Sequence, residues 1–180
     1  MAVDATHVVT GEVRMSYVTL DQPRSIEGGE PKYSVTILIP KSDAATKQRI
    51  DAAIELAKQK GLTSMFGGKI PNILATPLHD GDGYRPSDGE PYSEECKGHW
   101  VMAVSNKNKP AVVDANRNPI INASELYSGM YGRVSMDFFP YASNKKGIGV
   151  SLGNVQKLRD GDPLTSRTTA DQDFGDEFDF

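Results

Sequence analysis

At 180 residues the chain is long enough for one domain with a hydrophobic core and a long insertion or tail, and too short for two full domains. A single cysteine, Cys96, excludes an internal disulfide, and no apolar run has signal-peptide or membrane length, so a soluble protein of a reducing cytoplasm is expected. The net charge of −4 comes from 24 acids against 20 basic residues. Without the five acids of residues 171–180 the balance is 19 against 20, so any grip on phosphate must come from a local patch.

Residues 6–20 (THVVTGEVRMSYVTL) alternate, with Val9, Gly11, Val13, Met15 and Tyr17 on one face and Glu12, Arg14 and Ser16 on a wet one. Gly11 in mid-strand points to a bend. After a turn-rich segment, KYSVTILI (32–39) alternates again, with Tyr33, Val35, Ile37 and Ile39 inward. A helix is expected over 43–60: Asp43 or Ser42 caps it, Ile50, Ala53, Ile54 and Ala57 form its apolar stripe, and Gly61 stands where helices usually stop. Residues 61–99 read as a long excursion of Gly, Pro and acids, anchored through Ile70, Ile73, Leu74 and Leu78.

WVMAVS (100–105) is a third strand, and Val112 with Val113 suggests a short edge pairing. MYGRVSMDFFPY (130–141) and IGVSL (148–152) flank a basic turn as a hairpin, and NVQKLRDGDPL closes the structured part. The order strand, strand, helix, loop and three strands fits a mainly β fold: a five-stranded OB-fold-like Greek-key barrel with one α-helix, a long loop excursion and a disordered acidic C-terminal tail. The expected domain is 1–165, with 166–180 as linker and tail.

The hairpin carries the strongest constellation. With Met130, Gly132, Val134, Met136 and Phe138 inward, Tyr131, Arg133 and Phe139 face outward, and the next strand offers a flat face of Gly147, Gly149, Ser151 and Gly153. Rings beside a flat face can stack bases, while Tyr141, Lys145 and Lys146 stand at or near the tip. Arg14, Lys32, Trp100, Lys107 and Lys109 are further candidates for the same nucleic-acid groove. Burial of the rings under the helix or loop is the plain alternative.

Metal sites are poor: Cys96 and His99 make half a zinc site, and the run from Asp80 to Gly83 lacks the later ligands of a calcium loop. Neither a metal nor another cofactor is expected. An enzyme reading rests on Asp82 or Asp88 followed by Glu95 and Lys97, a loose match to metal-dependent nucleases. A structural or adaptor protein without DNA binding is the remaining alternative.

The tail interleaves carboxylates with rings: Asp173, Phe174, Asp176, Glu177, Phe178, Asp179 and Phe180. A single strand interleaves phosphates with bases, so a groove for one suits the other. Composition alone is equally compatible with a solvated terminus.

In the blocks GGEPKYSVTILIPKSD, KIPNILATPLHDGDGYRP and NVQKLRDGDPL, the chain resembles a family of phage-encoded proteins long grouped as a domain of unknown function. Its members are assigned as single-stranded DNA-binding proteins with an OB-fold. The resemblance runs from about Gly11 to Leu164 and carries over no DNA-contact residue. It implies a non-enzymatic, sequence-tolerant protein that coats single-stranded DNA in replication, recombination or repair, in the cytoplasm of an infected bacterium. The tail resembles the acidic, Phe-ending C-termini of bacterial and phage single-stranded DNA-binding proteins, which recruit replication and recombination partners. Autoinhibition by that tail is a further expectation.

Overall fold

Alternating apolar residues build the strands, and breaks in the alternation shape the first of them. In the computed structural model, which describes residues 5–25, 28–143, 145–164 and Phe174, the first expected strand is two: β1 (His7–Val9) and β2 (Val13–Arg24). Gly11 sits at the bend between them, where a Cβ would come within 2.5 Å of an Asp43 carboxylate oxygen. β1 buries Val8 and leaves Val9 outward, opposite to the expected phase. In β2, Val13 and Met15 are fully buried, the register against the next strand then shifts between Ser16 and Thr19, and Leu20 is the next buried apolar residue. Tyr17, expected inward, is thereby turned out. β2 also runs through Asp21–Arg24, part of the segment expected to be turns.

β3 (Lys32–Pro40) follows with the expected phase, and α1 (Ala44–Ser64) begins at the Asp43 cap, whose side chain accepts from the Thr46 N–H. Thr46, Ile50, Ala53, Ile54, Ala57 and Gly61 form its buried stripe. Burial of a side chain such as Ile50 contributes roughly 1.5–3 kcal/mol. The helix does not stop at Gly61. That glycine lets the helix lie against Pro140 and the Phe66 ring, whose atoms come within 2.7 Å and 2.6 Å of a hypothetical Cβ. The Met65 and Phe66 N–H groups both close on the Gly61 carbonyl and end the helix there.

The excursion to residue 98 carries β4 (His79–Asp80), which pairs with β5 (His99–Asn106), and the chain then passes through β6 (Val112–Val113). Leu74 and Leu78 pack on the core as expected, whereas Ile73 is 89% exposed and anchors nothing. β7 (Tyr131–Ala142) and β8 (Lys146–Arg159) form the hairpin, and NVQKLR is a continuation of β8, not a separate element.

Pairings β2–β3, β3–β5, β5–β8, β8–β7 and β7–β2 close a ring, with only β5–β8 parallel. This is the expected mainly β, OB-fold-like barrel. Its interior holds Met15, Ile37, Ile39, Met102, Val104, Met136 and Leu152, and α1 packs on β7, β1 and β8. Apart from Phe174, which is exposed, the tail residues and the 165/166 boundary lie outside the described residues.

Candidate nucleic-acid interface

Inward residues of β3 and β5 are large, and the outward ones at mid-strand are small. Register lines up Thr19, Ser34, Ser105 and Ser151 in one row across β2, β3, β5 and β8, with Ser16, Thr36 and Ala103 in the next. Small side chains make this surface concave. It forms the floor of a groove of about 780 Å³ whose walls include Tyr17, Arg24, Ser25, Gly29, Glu30 and Lys32. Ser25, Gly29 and Glu30 of this wall lie between the first and second barrel strands, and the Ser25 hydroxyl donates to the Gly29 carbonyl. In OB-folds the face of the second and third strands, with the loops after the first and fourth, is where oligonucleotides lie.

Two features of the groove are unexplained by folding alone. Arg24 and Lys32 are direct cross-strand partners, an arrangement of like charges that destabilises a sheet. No ion pair or side-chain hydrogen bond holds either one among the described residues. Lys107 follows Asn106, the partner of Tyr33, and so leaves the sheet at the same end as Lys32, with Lys109 exposed beyond it. Tyr17 is 71% exposed and sits at φ 48, a left-handed conformation that residues other than glycine adopt at a cost. The bulge is fixed from outside: the Ser128 hydroxyl accepts from the Val18 N–H at 3.2 Å, and the Gly129 N–H donates to the Met15 carbonyl at 2.7 Å. Bulges of this kind re-aim a side chain. The available signal was a change of parity, since Met15 and Leu20 are both inward at an odd separation.

The hairpin residues are placed differently from one another. The Phe139 ring, 43% exposed, lies over Gly149, and Tyr141 lies over Gly147, so these glycines are seats for the rings and not a bare flat face. Lys145 lies in the turn after the fourth barrel strand and Lys146 opens β8, and both are exposed. Tyr131 is occupied: the Arg159 guanidinium stands 3.8 Å from its ring centre and Arg14 stands 5.5 Å away. Arg14 also donates to the Asp162 carbonyl at 2.7 Å, and Arg159 pairs with Glu12. Arg133 donates to the Thr10 carbonyl at 2.9 Å. Trp100 faces the core, with Lys41 at 4.8 Å and Lys47 at 4.7 Å over its ring. The candidates therefore fall into Lys32 in the groove with Lys107 and Lys109 past the same end of the sheet, a hairpin set (Phe139, Tyr141, Lys145, Lys146) and a set engaged within the fold (Arg14, Trp100, Tyr131, Arg133).

The carboxylates of the nuclease reading are held apart by separate partners. Asp82 accepts from Lys41 at 2.8 Å and from the Gly98 N–H, while Asp88 accepts from Arg85 at 2.7 Å and 3.1 Å. These bonds hold both carboxyls below the usual aspartate range, led by the Lys41 bond for Asp82 and the Glu90 N–H for Asp88. Burial raises the Cys96 thiol, and His99 Nδ1 bonds the Lys97 carbonyl at 2.7 Å. Among the described residues no group of three or more His, Cys, Asp or Glu is placed to hold a metal.

Comparison with known proteins settles the family. The family described as the Enterobacter phage Enc34 single-stranded DNA-binding protein matches residues 6–179. The chain belongs to this family. Within it, the structure of the bacteriophage Enc34 single-stranded DNA-binding protein in complex with single-stranded DNA is 31% identical, with a TM-score of 0.76 over 90% of this chain and 91% of that one. A C-terminal truncation of the Enc34 protein matches at 30% identity and a TM-score of 0.74, over 89% and 90% of the two chains. Protein p50 of Acyrthosiphon pisum secondary endosymbiont phage 1 is 33% identical over 160 residues, 85% of this chain and 83% of its own. A single-stranded DNA-binding protein of bacteriophage T7, 16% identical with a TM-score of 0.59 over 96% and 94% of the chains, shares the fold. The family is one of binding proteins, not of enzymes.

Proposed function

We propose that the chain binds single-stranded DNA, with little regard to sequence, along the outer face of β2, β3 and β5, and coats exposed strands during phage replication, recombination or repair. The observation that carries this is Arg24 opposite Lys32, both unpaired among the described residues, beside the exposed Tyr17 on an OB-fold's oligonucleotide face. Phosphates relieve the repulsion between the cations, and a base stacks on the ring. Phe139 and Tyr141 at the end of β7, with Lys145 and Lys146 at the turn into β8, extend the path. The work site is the cytoplasm of the infected host; among the described residues no helix is long and apolar enough to cross a membrane.

The acidic tail competes for the groove and recruits replication or recombination proteins. Support comes from where it starts. Leu164 packs against Leu38, Cys96 and Val101 on the outer sheet face, and its N–H donates to the Ser128 carbonyl at 2.8 Å. Leu164, the last residue described before the tail, thus lies beside the groove.

The test is fluorescence anisotropy with a thymidine oligonucleotide over a range of salt. Log affinity should fall linearly with log salt, and Arg24→Ala with Lys32→Ala should flatten the slope by about 1.4 if each contacts one phosphate. An unchanged slope would take these cations out of the interface, and equal affinity for a duplex would sink the single-strand reading.

A further inference from the structure

Beside the groove, and sharing Tyr17, Thr36 and Ala103 with it, is a second cleft of about 220 Å³. Its floor is apolar, made by Leu38, Val101 and Cys96 with the Tyr92 ring, and its rim carries His79, Ser93 and Glu95. The side chains of His79, Tyr92, Ser93 and Glu95 have no hydrogen-bond partner among the described residues. An apolar cleft with a few unpartnered polar groups is the usual form of a small-ligand site. We propose that this cleft takes one unstacked base from the strand lying in the groove, with His79 and Ser93 meeting the base edge.

Volume and charge select the occupant. The cleft is smaller than the roughly 300–1,000 Å³ of pockets for drug-sized ligands, which suits one planar ring system. Its lining repels phosphate and accepts a neutral ring. Burial lowers His79 and raises Tyr92 and Cys96, so all three are neutral at pH 7. Arg85, the one cation at the rim, is paired with Asp88 at 2.7 Å, and Glu95 adds a carboxylate. The groove with Arg24 and Lys32 holds the backbone, and the cleft faces what the backbone carries. The rival occupant is a phenylalanine of the chain's own tail, which starts at the same cluster.

This inference rests on single-strand binding in the groove, and the test separates the two. Affinities are measured at low salt for a thymidine oligonucleotide and for an abasic strand of equal length. Val101→Phe fills the cleft and should weaken thymidine binding about tenfold while sparing the abasic strand. His79→Ala leaves the cleft open, removes one polar group, and should weaken it about threefold with the same selectivity. Thermal unfolding of both variants checks that they fold. Equal losses on both probes, or no loss on either, overturn the base pocket and leave the groove standing. Tighter thymidine binding by Val101→Phe, reproduced by deleting residues 171–180, assigns the cleft to the tail instead. A wild-type chain that binds neither probe overturns the single-strand reading and this inference with it.

Discussion

A tyrosine at φ 48 in an exposed bulge costs about 1–3 kcal/mol of backbone strain and buries no ring in return, which is the pattern of a residue kept for contact. Tyr17→Gly should therefore keep or raise the thermal midpoint while weakening DNA binding by about 1–3 kcal/mol, and Tyr17→Phe should bind nearly as wild type. A lower midpoint with unchanged affinity would make Tyr17 structural. Asp43 is the opposite case. Its carboxylate accepts from the Thr46 hydroxyl at 2.6 Å and the Thr46 N–H at 3.1 Å, and the same hydroxyl accepts from the Gly11 N–H at 3.0 Å, so one cap ties α1 to the bend after β1. The Thr46 hydroxyl bond, first among the causes, holds Asp43 below the usual aspartate range. A lowered folded value means the stabilisation is complete at neutral pH and is lost as pH falls from the ordinary aspartate range through the lowered one. Asp43→Ala should cost about 0.5–2 kcal/mol near pH 7 in chemical denaturation, and the difference from wild type should shrink in acid.

At the scale of elements, the β7–β8 hairpin combines rigid and yielding close approaches. A Cβ on Gly132 would sit 2.1 Å from the Gln156 carbonyl oxygen, a backbone atom of the paired strand, whereas one on Gly149 would meet only the tip of the Phe139 ring at 2.6 Å. Backbone has nowhere to go and a ring can swing. Gly132→Ala should destabilise by about 1–3 kcal/mol, read by denaturant midpoint, and Gly149→Ala by clearly less. If Phe139 is a DNA contact, Gly149→Ala should still change affinity in the direction of Phe139→Ala, because both move the same ring. Equal stability losses in the two glycine variants would refute this account of the hairpin.

For the whole molecule, the tail changes the sign of the field. With residues 171–180 the chain carries −4, and without them the remaining 170 residues carry +1. The 16 residues beyond Leu164 reach at most about 55 Å, enough to return over the neighbouring groove. A tethered segment acts at an effective concentration of order mM, so an intrinsic affinity near 10⁻⁴ M would lower DNA affinity about tenfold. Deleting residues 171–180 should tighten binding by that factor at low salt and by less at high salt, where the tail's charge is screened. Equal affinities of the two chains at low salt would remove autoinhibition and leave recruitment to be judged by partner binding.

Local pattern determined most of the architecture. Alternation in KYSVTILI and MYGRVSMDFFPY, the Asp43 cap and the stripe from Ile50 to Ala57 each depend on neighbours within a turn or a strand, and the barrel follows from their order. The tail's composition was likewise plain. Partner choice was not. The tertiary structure decided that Arg14 and Arg159 cover Tyr131, that Phe139 rests on Gly149, and that Arg24 faces Lys32 across strands. It also decided that Tyr17 turns outward, through contacts at Ser128 and Gly129 more than 100 residues away. Periodicity reports which face a side chain takes while the strand is regular. A bulge breaks that rule, and which surface cations stay unpaired depends on residues that only the closed barrel brings together.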